Sequence, residues 1–241
     1  MKKLGFLVCA GIALGAAGSI VSAGASAADA YVVHGIPGDD LGLDPHLPVD
    51  ISVDGACAFP DVRLGDVLGP VPLDAGTYEI AISLADSASP CGGALAVVDT
   101  VGISVAETAV LVANLDVNGA PRLSKFTTRA TLVDADKARV TAYHTAAAPS
   151  VDLRVKSDGS GDVVAVISGL KNGEQSFPAE VPAGAYLIRI FPSPERGAGF
   201  GDPVAEIPVD FAGGAAYALF AIGSLENETF DVVPLLIEPQ S

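Results

Sequence analysis

Val49-Asp50-Ile51-Ser52-Val53 returns as Val151-Asp152-Leu153-Arg154-Val155, and Ala75-Gly76-Thr77-Tyr78 returns as Ala183-Gly184-Ala185-Tyr186. His34 closes one apolar run and His144 closes another. Motifs that recur in the same order predict one small unit built twice. The repeated pieces set its type. In Val49–Val53 the odd positions are apolar and Asp50 and Ser52 are polar; in Tyr78–Leu84 the even positions are large and the odd ones small or charged. Tyr186, Ile188 and Ile190 repeat this, with Arg189 facing the other way. A period of two is the mark of half-buried antiparallel strands. Gly and Pro recur every ten residues or so, the turn spacing of a sandwich or barrel.

Strands are expected near 30–34, 49–54, 62–64, 68–73, 77–84, 95–105, 109–116 and 121–127, and again near 138–144, 151–156, 162–168, 175–181, 185–191, 203–211, 215–222 and 228–237. Seven or eight strands per repeat suffice for two packed sheets. The expectation is an all-β chain of two tandem antiparallel β-sandwich domains, 28–128 and 138–241, with a linker at 129–137 centred on Asp134-Ala135-Asp136-Lys137. The Ala-Gly-x-Tyr piece reads as a turn. Its Gly permits positive φ, and its Tyr opens a strand, burying the ring while the hydroxyl reaches a backbone group.

Residues 1–27 read as a signal peptide. Lys2 and Lys3 start it, Leu4 to Val21 is apolar and small, and Ala25-Ser26-Ala27 is a small-x-small cleavage site. The alternative, a membrane anchor, fits less well, since the stretch is rich in Gly and Ala. No later segment is apolar enough to span a bilayer, so the mature chain is expected to start at Ala28, outside the cytoplasm. The full chain has 13 basic and 29 acidic residues; without Lys2 and Lys3 the balance is 11 against 29, or −18. Such a surface repels nucleic acid and anionic lipid, so neither is an expected partner. Two cysteines survive processing, Cys57 and Cys91, both in the first repeat. In an exported chain an isolated pair reads as a disulfide, and two thiols alone do not complete a zinc shell.

At His34-Gly35, at Pro48–Gly55 and at Leu73–Ile80 the chain resembles domain of unknown function family 4397. That family's pattern is a strand ending in His, a Pro-x-Val-Asp-Val strand and a Pro-Ala-Gly-x-Tyr turn. His144, Ala148–Leu153 and Val181–Tyr186 carry it a second time. The resemblance implies a tandem pair of such domains in a secreted or surface-exposed prokaryotic protein, built as immunoglobulin-like or transthyretin-like sandwiches. It brings no catalytic residues to carry over. The chain departs from the pattern in an acidic insertion, Pro37 to His46, and in the Cys57/Cys91 pair.

His34 and His144 with Asp50 and Asp152 are the one paired polar set, and so the weak binding candidates. A His–Asp hydrogen bond could bridge strand ends, as catalytic pairs do, but a nucleophile is missing and a duplicated active site is odd for an enzyme. Asp39, Asp40 and Asp44 crowd the insertion and are weak calcium candidates, although apolar residues occupy the ligand positions of an EF-hand. Gly159-Ser160-Gly161 reads as a hairpin turn, and Gly197–Gly201 as a connection without a following helix. No cofactor is expected. The reading is a non-catalytic extracellular or cell-envelope binding or scaffold module whose partner is an unknown protein or glycan. The alternative is a secreted hydrolase or carbohydrate-active accessory protein with its site at the interdomain groove. The absence of Trp argues against sugar-stacking platforms.

Overall fold

The structure, a computed structural model, describes residues 27–193 and 201–237. Residues 1–26 of the segment read as a signal peptide, and nearly all of the Gly197–Gly201 connection, lie outside the described residues. Within them the chain is all β. Its strands are β1 (Ala28–His34), β2 (Val49–Val53), β3 (Ala56–Val62), β4 (Val67–Leu73), β5 (Gly76–Leu84), β6 (Leu95–Ile103), β7 (Thr108–Leu115) and β8 (Pro121–Thr128). Then come β9 (Lys137–His144), β10 (Val151–Ser157), β11 (Val163–Leu170), β12 (Glu174–Gln175), β13 (Ala179–Pro182), β14 (Gly184–Pro192), β15 (Ala205–Phe211), β16 (Ala215–Ile222) and β17 (Asp231–Ile237). No regular structure lies between Thr128 and Lys137. No described helix is long and apolar enough to cross a membrane.

Four sheets form, ordered β3-β2-β5-β6, β4-β1-β7-β8, β12-β9-β16-β17 with β13 also on β9, and β11-β10-β14-β15. Three apolar layers separate them. Val32, Leu111 and Leu115 meet Ile51, Ile80 and Ile82 in the first. Tyr31, Val33, Val110, Val112 and Phe126 meet Tyr143, Ala218, Phe220, Ile222 and Leu235 in the second. Val140 and Leu219 meet Leu153, Ile188, Ile190 and Phe211 in the third. The two inner sheets are therefore covered on both faces. This is why β7 (TAVLVANL) and β16 (AAYALFAI) are near-continuous apolar runs rather than alternating ones.

The expectation of purely antiparallel sheets needs correcting. β1 pairs with β7 in parallel, and β9 with β16 in parallel. Parallel partners need a long crossover, and here the intervening strands supply it by forming the outer sheets. β3 was expected at 62–64 but begins at Ala56; Pro60 lies in this edge strand, where a missing N–H is tolerated. The strand expected over 175–181 is split into β12 and β13 around Ser176–Pro178.

The strand registers of the two halves correspond. Val53 lies opposite Ile80 as Val155 lies opposite Ile188, and Gly76 opposite Ile103 as Gly184 opposite Phe211. His34 lies opposite Ala113 as His144 lies opposite Ala221. These pairings set His34 with His144, Asp50 with Asp152 and Tyr78 with Tyr186. Both tyrosine hydroxyls donate four residues back, Tyr78 to the Asp74 carbonyl (2.9 Å) and Tyr186 to that of Pro182 (2.6 Å).

Candidate functional site

β1 and β9 each end on an imidazole that the inner sheets enclose. His34 is 2% exposed and His144 0%. Burial pushes His34 down to about 4, against the upward pull of the Asp66 carboxylate. Burial also lowers His144, against the Pro149 carbonyl and Glu174. His144 Nε2 donates to the Pro149 carbonyl (2.8 Å), which leaves Nδ1 unprotonated. Nδ1 has no hydrogen-bond partner in either ring. Near pH 7 both rings are neutral framework groups.

Of the two partners considered for the imidazoles, Asp or backbone, His144 takes backbone, and the loops beside each Asp supply its hydrogen bonds instead. Asp50 accepts from the backbone N–H groups of Asp61 (2.8 Å), Cys91 (2.7 Å) and Asp86 (3.4 Å). Burial works to raise its carboxyl, but these donors prevail and hold it below the usual value. Asp152 accepts from Gly169 N–H (2.7 Å) and Ser193 Oγ (2.6 Å). Each carboxylate fastens a bulge and a loop to its own sheet. The Cys57–Cys91 disulfide, with its Cα atoms 5.6 Å apart, adds a covalent tie from β3 to the loop docked on Asp50.

The acidic insertion behaves differently. Asp39–Leu41 form one 3₁₀ turn. Asp40 reaches across to the second half, accepting from Asn227 Nδ2 (2.6 Å) and Thr229 Oγ1 (2.8 Å). Asp44 accepts from His46 N–H within its own turn (2.8 Å). Two of the three candidate calcium ligands, Asp40 and Asp44, are thus turned to separate hydrogen bonds, and Asp39 is exposed. Among the described residues no group of three or more His, Cys, Asp or Glu is placed to hold a metal.

By bridging the halves, the insertion walls a groove of about 440 Å³ lined by Pro37, Asp39, Pro45, His46, Arg63, Leu64 and Thr229. Asp39, His46 and Arg63 are exposed there. The groove is open and carries both signs of charge, an arrangement suited to hydrogen bonds and ion pairs with a polar surface. Sequence reasoning did not pick out Arg63 or Thr229, which lie in other connections far along the chain. The available signal was asymmetry, since only the first repeat carries the insertion between its His-ended strand and the next strand.

No curated protein matches the chain. Among solved structures it is similar to the TIE protein of Bacillus anthracis, at 12% identity and a TM-score of 0.27, over 82% of this chain and 34% of that one. The chain thus spans about a third of that protein's length. It is also similar to the fimbrial anchor protein Mfa2 from Porphyromonas gingivalis, at 10% identity and a TM-score of 0.21, over 89% of this chain and 100% of that one. A family profile described as Domain of unknown function (DUF4397) matches residues 28–154, from the start of β1 into β10. That match takes in both His-ended strands and more than half of the chain, which therefore belongs to the DUF4397 family.

Proposed function

We propose that the protein is a non-catalytic extracellular or cell-envelope module that binds a protein or glycan partner through the groove at the seam of its two halves. The carrying observation is the Asp40 clasp, which holds a polar groove open between the halves. The commitment of Asp50, Asp152 and the buried imidazoles to the framework supports the same reading. The matching registers support a tandem pair of like sandwich domains, 28–128 and 138–241 joined by 129–137, and the sequence before Ala28 supports export.

The test is an array of glycans and extracellular proteins probed with the intact protein. Capture should fall at least tenfold in the double variant Arg63→Ala with His46→Ala. His144→Ala should lower the melting temperature, through loss of a buried hydrogen bond worth about 1–3 kcal/mol, and leave capture unchanged. Capture indifferent to the groove variant, or hydrolysis of an arrayed glycan or protein, would overturn the proposal.

A further inference from the structure

A second opening lies away from the seam, inside the first half. Between the sheets of β1 and β2 is a cavity of about 200 Å³ whose lining residues are all apolar. Ile51, Ile82 and Leu111 form its buried floor. Ala58 and Phe59 on β3 and Val71 on β4 form its rim, from exposed to half-buried. β3 and β4 are both sheet edges, so the cavity reaches the surface between two lips. Both lips are irregular beside it. The β1–β4 register shifts between Ala30 and Val32, and the β2–β3 register shifts on either side of Ile51. Such bulges bend an edge strand out of line with its sheet. The Cys57–Cys91 bond fixes the β3 lip one residue from Ala58.

Among the described residues, the matching layer of the second half holds a smaller void, of about 10 Å³, lined by Leu153, Ile188 and Leu219 among others. At matching registers Val140 stands where Ala30 does but Ala142 where Val32 does and Ala179 where Val71 does, so the difference lies beyond the lining, where Phe211 stands in place of Ile103 and Tyr217 in place of Ala109. Two aromatic rings, with centroids 4.9 Å apart, fill the end of that layer. Among the described residues, the larger space lies in the first half of a shared frame.

From this geometry we infer that the first half binds a hydrocarbon chain, inserted between β3 and β4 with any polar end left at the rim. A lining without polar groups gives a hydroxyl or charge no partner inside, so the recognised part is alkyl. The volume exceeds the roughly 150 Å³ of an apolar cavity that takes up benzene. The inference is independent of the seam groove and goes beyond the proposed function.

Calorimetric titration of the intact protein with 1-alkanols from butanol to decanol tests it. Neutral alcohols avoid repulsion by the acidic surface. One alcohol should bind per chain, tightening about fourfold per added methylene until the cavity is filled, then levelling off. Ala30→Leu, which fills the floor, and Ala58→Leu, which fills the rim, should each weaken octanol binding at least tenfold. Ala58 is exposed, so its variant reports even if Ala30→Leu does not fold. No saturable binding across the series would overturn the inference, as would unchanged binding in the folded variants.

Discussion

Enclosing an imidazole at the end of β1 makes His34 a sensor of acid for the whole fold. The unfolded chain takes up this proton near pH 6.5, but the folded chain only near pH 4. Folding therefore favours the neutral ring. The contribution is complete above about pH 6.5, declines as pH falls through the window, and is gone below about pH 4. The loss across that window is about 3 kcal/mol. His144 is shifted the same way and adds to the slope. Asp50 acts lower, since its stabilisation fades only as pH falls below the ordinary carboxylate range. Urea midpoints measured between pH 7.5 and 4 should fall steeply for the native chain and less steeply for His34→Leu. Identical slopes would show that His34 protonates as easily in the fold as outside it.

At the scale of elements, one irregularity is shared by both halves. Asp61 on β3 and Gly169 on β11 each precede the residue opposite the start of the neighbouring strand, Val62 opposite Val49 and Leu170 opposite Val151. Both have positive φ, +60° and +67°, and both donate N–H to the matching carboxylate, Asp50 or Asp152. The bulge exists to make that bond, and a glycine suits it better than an L-residue. Asp61→Gly should raise the urea midpoint by about 0.5–1 kcal/mol of stability, and Gly169→Asp should lower it by about 1 kcal/mol. Equal midpoints for all three chains would separate the bulge from strain. Among the elements legible in advance, β2 with β10 and β5 with β14 lie in outer sheets with one face on a core, so alternation records their fold. The bulges left no such trace, because Asp61 and Gly169 share a backbone conformation but not a side chain. Nor could the sequence choose between Asp and backbone as the imidazole's partner, since hydrogen-bond partners depend on loops that motif spacing does not place.

For the whole molecule, the seam decides whether two repeats make two bodies or one. Apolar runs such as Ala109–Leu115 carried the information, for a strand apolar on both faces must be covered on both faces. What covers the second face was not legible, because period and spacing within one repeat do not state which sheet the other repeat turns toward it. The structure places the halves back to back. Tyr143 stacks on Phe220 with centroids 4.5 Å apart and meets Phe126 edge-on at 5.1 Å. Gly35 lies so close that a Cβ there would sit 2.7 Å from Ile222 Cγ2. Polar bonds close the rim, among them Asn172 Nδ2 to the Leu115 carbonyl (3.0 Å) and Arg122 Nη2 to Asn172 Oδ1 (3.0 Å). A seam that resembles a domain core couples the halves, since opening it exposes the inner sheet of each. Phe220→Ala should therefore cost about 3–5 kcal/mol, as a buried Phe does, and lower the stability of both halves together. Calorimetry should still give one transition, and hydrogen exchange should quicken in β7 as well as in β16. Two resolved transitions, or faster exchange confined to the second half, would mean that the halves fold apart and meet afterwards.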